Sequence, residues 1–102
     1  MKSLIGWKEF GDPNAPSIFS VFSPYQREHE DAIANYLDNG KVFLVSAGIS
    51  TDVFTGEMIS GKHELMTDGE YFWNTDIPYY VRKYHMKLPH EFEQKVLDIA
   101  NM

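Results

Sequence analysis

The stretch His63-Glu64-Leu65-Met66-Thr67-Asp68-Gly69-Glu70-Tyr71-Phe72-Trp73-Asn74 decides the fold. Two β-rich runs flank Asp68-Gly69, and that dipeptide predicts a two-residue type I′ hairpin because both of its residues tolerate the positive φ such a turn needs. Alternation along the second run sends Tyr71 and Trp73 to one face and Phe72 to the other. Upstream, Lys41 to Ala47 contains the continuous apolar run Val42-Phe43-Leu44-Val45, which predicts a central strand buried on both faces. Asp52 to Thr55 and Met58 to Ile59 read as shorter strands punctuated by Gly56 and Gly61. The middle of the chain is therefore expected to be an antiparallel meander.

Outward from the meander, helices are signalled on both sides. Ser23-Pro24-Tyr25-Gln26 fits a capping box with proline in the first turn, and Asn39-Gly40 fits a C-terminal stop, Gly40 supplying the left-handed residue. Between them Tyr25, His29, Ala32, Ile33, Tyr36 and Leu37 form an apolar stripe, while Arg27, Glu30, Asp31, Ala34 and Asp38 form an acidic back. Asp76 is placed to cap a second helix in which Ile77, Tyr80, Val81 and Tyr84 recur at helical spacing. Leu88-Pro89 breaks the chain, and a last helix from Pro89 buries Phe92, Val96, Ile99 and Ala100. Before the first helix, Leu4 to Phe10 and Ile18 to Phe22 read as short strands joined by the loop Gly11-Asp12-Pro13-Asn14-Ala15-Pro16. The expected architecture is α+β: an antiparallel sheet packed with one long helix after the N-terminal strands and two C-terminal helices, all in a single domain over residues 1–102.

Composition narrows the function classes. The 102 residues are 43% hydrophobic and 24% charged, ordinary for a globular chain, and include no cysteine, so no disulfide, thiolate metal site or thiol nucleophile exists. The longest unbroken apolar run, Val42 to Val45, is far short of a membrane span, and Lys8-Glu9 interrupts the N-terminus before a signal-peptide core develops, so a cytoplasmic protein is expected. The formal net charge is −6. It belongs to residues 1–75, where five Lys/Arg face eleven Asp/Glu; residues 76–102 hold four of each. An acidic surface repels phosphate, which argues against a nucleic-acid partner, although plain solubility explains the same balance.

The motifs that invite chemistry are weak. Gly56-Glu57-Met58-Ile59-Ser60-Gly61-Lys62-His63 follows a phosphate-binding loop until its last place, where the magnesium-holding hydroxyl is replaced by His63, and no helix is expected to begin there. His29, His63, His85 and His90 share no metal-ligand spacing, so no metal or other cofactor is expected. Asp68 with Glu70, or Asp52 with Glu57, would make carboxylate pairs, but nothing in their setting raises a pKa for general-acid work. Ser46-Ala47-Gly48 lacks the glycines of a nucleophile elbow. Tyr71-Phe72-Trp73 with Trp7 has no basic groove beside it and reads as core rather than a base-stacking platform. Catalytic residues are therefore expected to be none. Tyr79 falls off the buried stripe of its helix beside Arg82 and Lys83, the composition of an interface anchor.

Three segments carry a resemblance: Asp52-Val53-Phe54-Thr55-Gly56-Glu57; Thr67-Asp68-Gly69-Glu70-Tyr71-Phe72-Trp73; and Tyr80-Val81-Arg82-Lys83-Tyr84-His85 with Leu88-Pro89-His90-Glu91-Phe92. Over residues 52–92 the chain resembles the immunity proteins of bacterial polymorphic toxins, including contact-dependent growth inhibition systems. The resemblance implies a cytoplasmic, non-catalytic inhibitor that forms a one-to-one complex with the C-terminal domain of a cognate toxin, commonly a nuclease, without contacting nucleic acid or membrane. An acidic inhibitor suits a nuclease, whose Lys/Arg side chains await phosphate. On that reading the candidate toxin-binding residues are Glu30, Asp31 and Asp38 on the helix back, with Asp52, Glu57, Glu64, Asp68 and Glu70 around the meander and Tyr79 beside them. A small hydrolytic or nucleotide-handling enzyme is the alternative, and an accessory subunit or scaffold is a third.

Overall fold

The computed structural model describes residues 1–46, 48–60 and 62–101. In chain order the elements are β1 (Lys2–Ser3), α1 (Glu30–Asp38), β2 (Lys41–Ser46), β3 (Ser50–Thr51), β4 (Met58–Ser60), β5 (His63–Thr67), β6 (Tyr71–Asn74), α2 (Ile77–Tyr84) and α3 (His90–Ala100). The fold is α+β, as the pattern of elements predicts. Its main sheet has the order β1-β6-β5-β2, with β1 parallel to β6 and the other pairings antiparallel, so the sheet is mixed. β3 and β4 form a separate hairpin inserted between β2 and its partner β5, which interrupts the expected meander.

The β5–β6 hairpin is where it was expected, but its turn is built differently. Thr67 pairs with Phe72, and only Gly69 takes a left-handed φ, at 98°. Asp68 instead closes the loop with its side chain, Oδ1 accepting from the Glu70 and Tyr71 amides at 2.9 and 2.8 Å, which is how an aspartate imitates a backbone turn. Tyr71 and Trp73 face the helices and meet the Phe92 ring edge-on at 5.0 and 6.0 Å between centroids. Trp73 is wholly enclosed and its indole N–H donates to the Leu37 carbonyl at 3.2 Å. That contact explains Gly40, which is not left-handed: a Cβ there would lie 2.5 Å from the Trp73 ring.

The N-terminal third departs most from the sequence pattern. Lys8–Phe10 and Ile18–Val21 are 3₁₀ turns, and only Lys2–Ser3 pairs as a strand. α1 is nine residues long and starts at Glu30, so Ser23 caps nothing. Tertiary bonds hold residues 23–29 out of the helix. The Ser23 amide donates to the Tyr84 carbonyl at 3.0 Å, while the Arg27 guanidinium grips the Glu93 carboxylate at 2.6 Å and the Met86 carbonyl at 2.9 Å. Tyr25 is exposed, and His29 stands outside the helix with φ 66°. The buried stripe is Glu30, Ile33, Ala34 and Leu37, rotated from the expected one so that Ala34 points inward. In α3, Phe92 and Val96 enter the core while Ile99 and Ala100 remain exposed.

The largest correction concerns β2. Among the described residues it pairs with β5 alone and is the edge of the sheet, with a bulge between Val42 and Leu44. The helices pack on one another and leave it uncovered, so Val42, Phe43, Leu44 and Val45 are 46%, 45%, 53% and 72% exposed.

Gly40→Ala tests the account of the Trp73 contact. Forcing a methyl into that wall should cost about 1–3 kcal/mol, lowering the midpoint of thermal unfolding by several degrees, whereas Gly56→Ala meets only backbone strain. A Gly40→Ala midpoint equal to the parent's would refute the account.

Candidate binding surface

The nine residues expected to face a partner are not all free to do so, because the fold uses four of them internally and pairs two more with basic side chains. Glu30 is 4% exposed and sits behind α1, where its carboxylate meets His85 Nδ1 at 2.9 Å and accepts from the Arg27 amide at 3.0 Å. It belongs to the core stripe and not to an acidic back. Asp38 is bridged to Arg82 at 2.7 Å across the α1–α2 groove. Glu70 is paired with Lys95 at 2.9 Å and lies near Lys2 at 3.9 Å. Asp31 and Glu57 are exposed, and Glu64 is half-buried on β5; no ion pair engages these three among the described residues.

Asp52 and Asp68 are hubs of the fold. The Asp52 side chain is fully enclosed. Its Oδ1 accepts from the Phe54 and Thr55 amides at 2.7 and 3.0 Å, turning residues 52–55 into a loop where a strand was expected. Its Oδ2 accepts from the Tyr79 and Tyr84 hydroxyls, each at 2.6 Å. Burial pushes the Asp52 carboxyl up, but these four hydrogen bonds outweigh it and bring its pKa to about 2. Tyr79 is thereby tied to Asp52 and to Lys83, at 3.0 Å, and is half-buried rather than a free anchor. Asp68 likewise is desolvated yet held well below the usual carboxylate range by Lys95 at 2.8 Å, Tyr36 at 2.6 Å and the Tyr71 and Glu70 amides. A carboxyl so firmly ionised has no proton to give at neutral pH, so Asp68 does not serve as a general acid.

Two other sequence motifs resolve the same way. Gly56 to Lys62 spans a φ of 77° at Gly56 and strand β4, and His63 opens β5, so no helix N-terminus faces a phosphate there. Gly61 of that motif and Ala47 of Ser46-Ala47-Gly48 lie outside the described residues. No group of three His, Asp or Glu side chains converges on a metal position among the described residues.

The exposed surface also carries large apolar side chains. β2 offers its outer backbone edge and four large side chains, and Ile49, Phe54 and Met58, at 59%, 69% and 65% exposure, continue the series through the β3–β4 hairpin. By register, Val42 and Val45 lie on the helix side of the sheet beside Met66 and Glu64; Leu44 lies on the opposite side beside Leu65. There the Phe43 and Phe72 rings meet edge-on at 6.3 Å. A lone exposed leucine needs no explanation; an unpaired strand edge with four exposed large apolar side chains does. The run Val42 to Val45 was visible in the sequence, but periodicity does not distinguish a strand buried on both faces from an apolar edge awaiting a partner.

No family model, curated protein or solved structure matches the chain. No helix is long and apolar enough to cross a membrane among the described residues.

The Asp52 hub makes an acid-stability prediction. Its folded pKa lies below the unfolded value of 3.8, so its contribution is fully present above that value and is lost as pH falls through it toward about 2. Asp52→Asn should cost about 2 kcal/mol at pH 7 and flatten the loss of stability below about pH 4, measured by urea unfolding across a pH series. An unchanged acid limb would mean that Asp52 is not the titrating group.

Proposed function

We propose that this chain is an immunity-type inhibitor that binds a cognate toxin domain in the cytoplasm, one to one, and neutralises it without catalysis. The observation that carries the reading is β2, an exposed apolar sheet edge beside an apolar hairpin. Such an edge invites strand addition by a second protein, whose backbone supplies the missing hydrogen bonds while pockets between side chains supply selectivity. The formal charge of −6 favours a basic occupant. A toxin domain that binds phosphate is basic and meets the charge requirement, and the resemblance over residues 52–92 points to the same class of partner. The interface therefore moves from the carboxylates favoured by the sequence to β2 and the β3–β4 hairpin, with Asp31, Glu57 and Glu64 as the carboxylates left to steer association.

The alternative of an accessory subunit shares the edge strand and differs only in the identity of the partner. Co-expression with toxic domains of the basic, phosphate-binding class separates the two, rescue of growth by one of them being the expected result. Val45→Lys and Leu44→Asp, which touch no core residue, should each raise the Kd of the complex at least about thirtyfold, roughly 2 kcal/mol, with far-UV circular dichroism unchanged. Asp31→Lys should instead slow association at low salt. Rescue and affinity left intact in both β2 variants would remove the edge from the interface.

A further inference from the structure

On the sheet face away from the helices, a cavity of about 440 Å³ lies between the Lys8–Phe10 turn, β3, β5 and the β6–α2 junction. Its polar lining includes Glu9, Ser50, His63, Asn74 and Asp76. Asn74 and Asp76 are 4% and 5% exposed, and the Oδ1 atom of each has no hydrogen-bond partner among the described residues. A buried acceptor without a donor is costly, and natural chains rarely carry two side by side without a reason.

The local backbone explains why Asp76 Oδ1 is unspent. A capping aspartate is ordinarily extended and accepts from the amide of the second or third helical residue, but Asp76 is itself helical, at φ −74° and ψ −29°, Pro78 removes one of those amides, and Asp76 makes no side-chain cap. Burial raises its pKa, with the Ser50 hydroxyl and nearby His63 acting against that rise. Glu9 adds a second negative charge: burial would raise its pKa, but the Ser17 hydroxyl and the Ile18 amide, each at 2.6 Å, hold it below normal. Among the described residues no lysine or arginine lines the cavity, and His63 is its one basic group. The remaining wall includes Ile5, Phe10, Val53 and Leu65, which suit a hydrocarbon stem. At more than ten times the roughly 30 Å³ of one water, the space exceeds what a single bridging water would fill.

We propose that this cavity binds a guanidinium or primary ammonium group on a short aliphatic stem, whose N–H donors satisfy Asp76 Oδ1 and Asn74 Oδ1. The head group arrives either on a free diamine or on an arginine or lysine side chain of a partner protein. The inference rests on the cavity alone and stands whether or not a toxin is the partner.

The test is titration of the ¹⁵N-labelled chain with agmatine, with neutral N-butylurea as the control. Saturable shifts are expected at the amides of Ser50, His63, Asn74 and Ile77 with agmatine and not with butylurea. Asp76→Asn, which keeps the side-chain shape, should weaken binding at least about tenfold. His63→Lys should do the same by placing a tethered ammonium at the cavity wall. Micromolar agmatine affinity assigns a free amine as the ligand. Millimolar affinity, with tighter binding of the peptide acetyl-Gly-Arg-Gly-amide, assigns a protein side chain. Absence of saturable shifts with agmatine, or equal affinity in folded Asp76→Asn and His63→Lys, would overturn the proposal.

Discussion

Everything in this fold is arranged around a single indole. Trp73 is completely enclosed where β6, α1 and α3 meet, its N–H spent on the carbonyl of Leu37 and its ring set against Phe92 and Tyr36. Large aromatics bury more apolar area than any other side chain and tolerate few arrangements of their neighbours. The α1–β2 connection therefore has to pass so close that only glycine fits at position 40. With that approach fixed, α1 ends at Asp38, β2 starts at Lys41, and β2 can reach only the free side of β5. The exposure of β2 thus follows from the chain path imposed at Trp73.

The acidic residues show a second constraint. Four of the nine carboxylate and tyrosine positions first assigned to an interface, Glu30, Asp52, Asp68 and Tyr79, are held by hydrogen bonds that join distant parts of the chain. Asp52 ties a loop to both ends of α2, and Asp68 ties a hairpin to α1 and α3 through Tyr36 and Lys95. Desolvated carboxylates keep their charge only when surrounded by donors, so these sites are costly to disturb and poorly suited to meeting a variable partner. The acidic balance is in good part internal chemistry of the fold.

These same residues mark how far the sequence could be read. The β5–β6 hairpin, the strand character of Lys41 to Ser46, both C-terminal helices and the α+β class were legible, because each rests on local periodicity or turn chemistry. The start of α1 was not. Ser23-Pro24-Tyr25-Gln26 satisfies every local rule for a helix start, yet Arg27 finds Glu93 sixty-six residues away and holds the segment out of the helix. The face of α1 was lost with its start, which turned Glu30 inward and Tyr25 outward. The environment of β2 was illegible for another reason, since burial depends on what lies beside a strand and not on the strand itself. Asp76 was not legible: the pattern predicts it as the cap of α2, but its backbone is already helical, at φ −74° and ψ −29°, and its side chain makes no cap.

The two unspent features of the molecule are adjacent. Ser46, the last residue of β2, pairs with His63 on the wall of the acidic cavity, and Leu65 both lines that cavity and lies beside Leu44 on the outer sheet face. A strand added to β2 would run along the same edge, with alternate side chains projecting over the outer face toward His63. Asn74 lies on β6, three strand spacings or about 14 Å from such a strand, so a cation that meets Asp76 and Asn74 has to come from another part of the partner. Strand addition alone discriminates poorly, because any extended backbone supplies the same hydrogen bonds. A buried cation site near that edge would disfavour a partner lacking the matching charge, since an empty site leaves two acceptors unsatisfied. The apolar edge would then supply affinity and the cavity selectivity, a division that accounts for why the chain retains two costly exposures side by side.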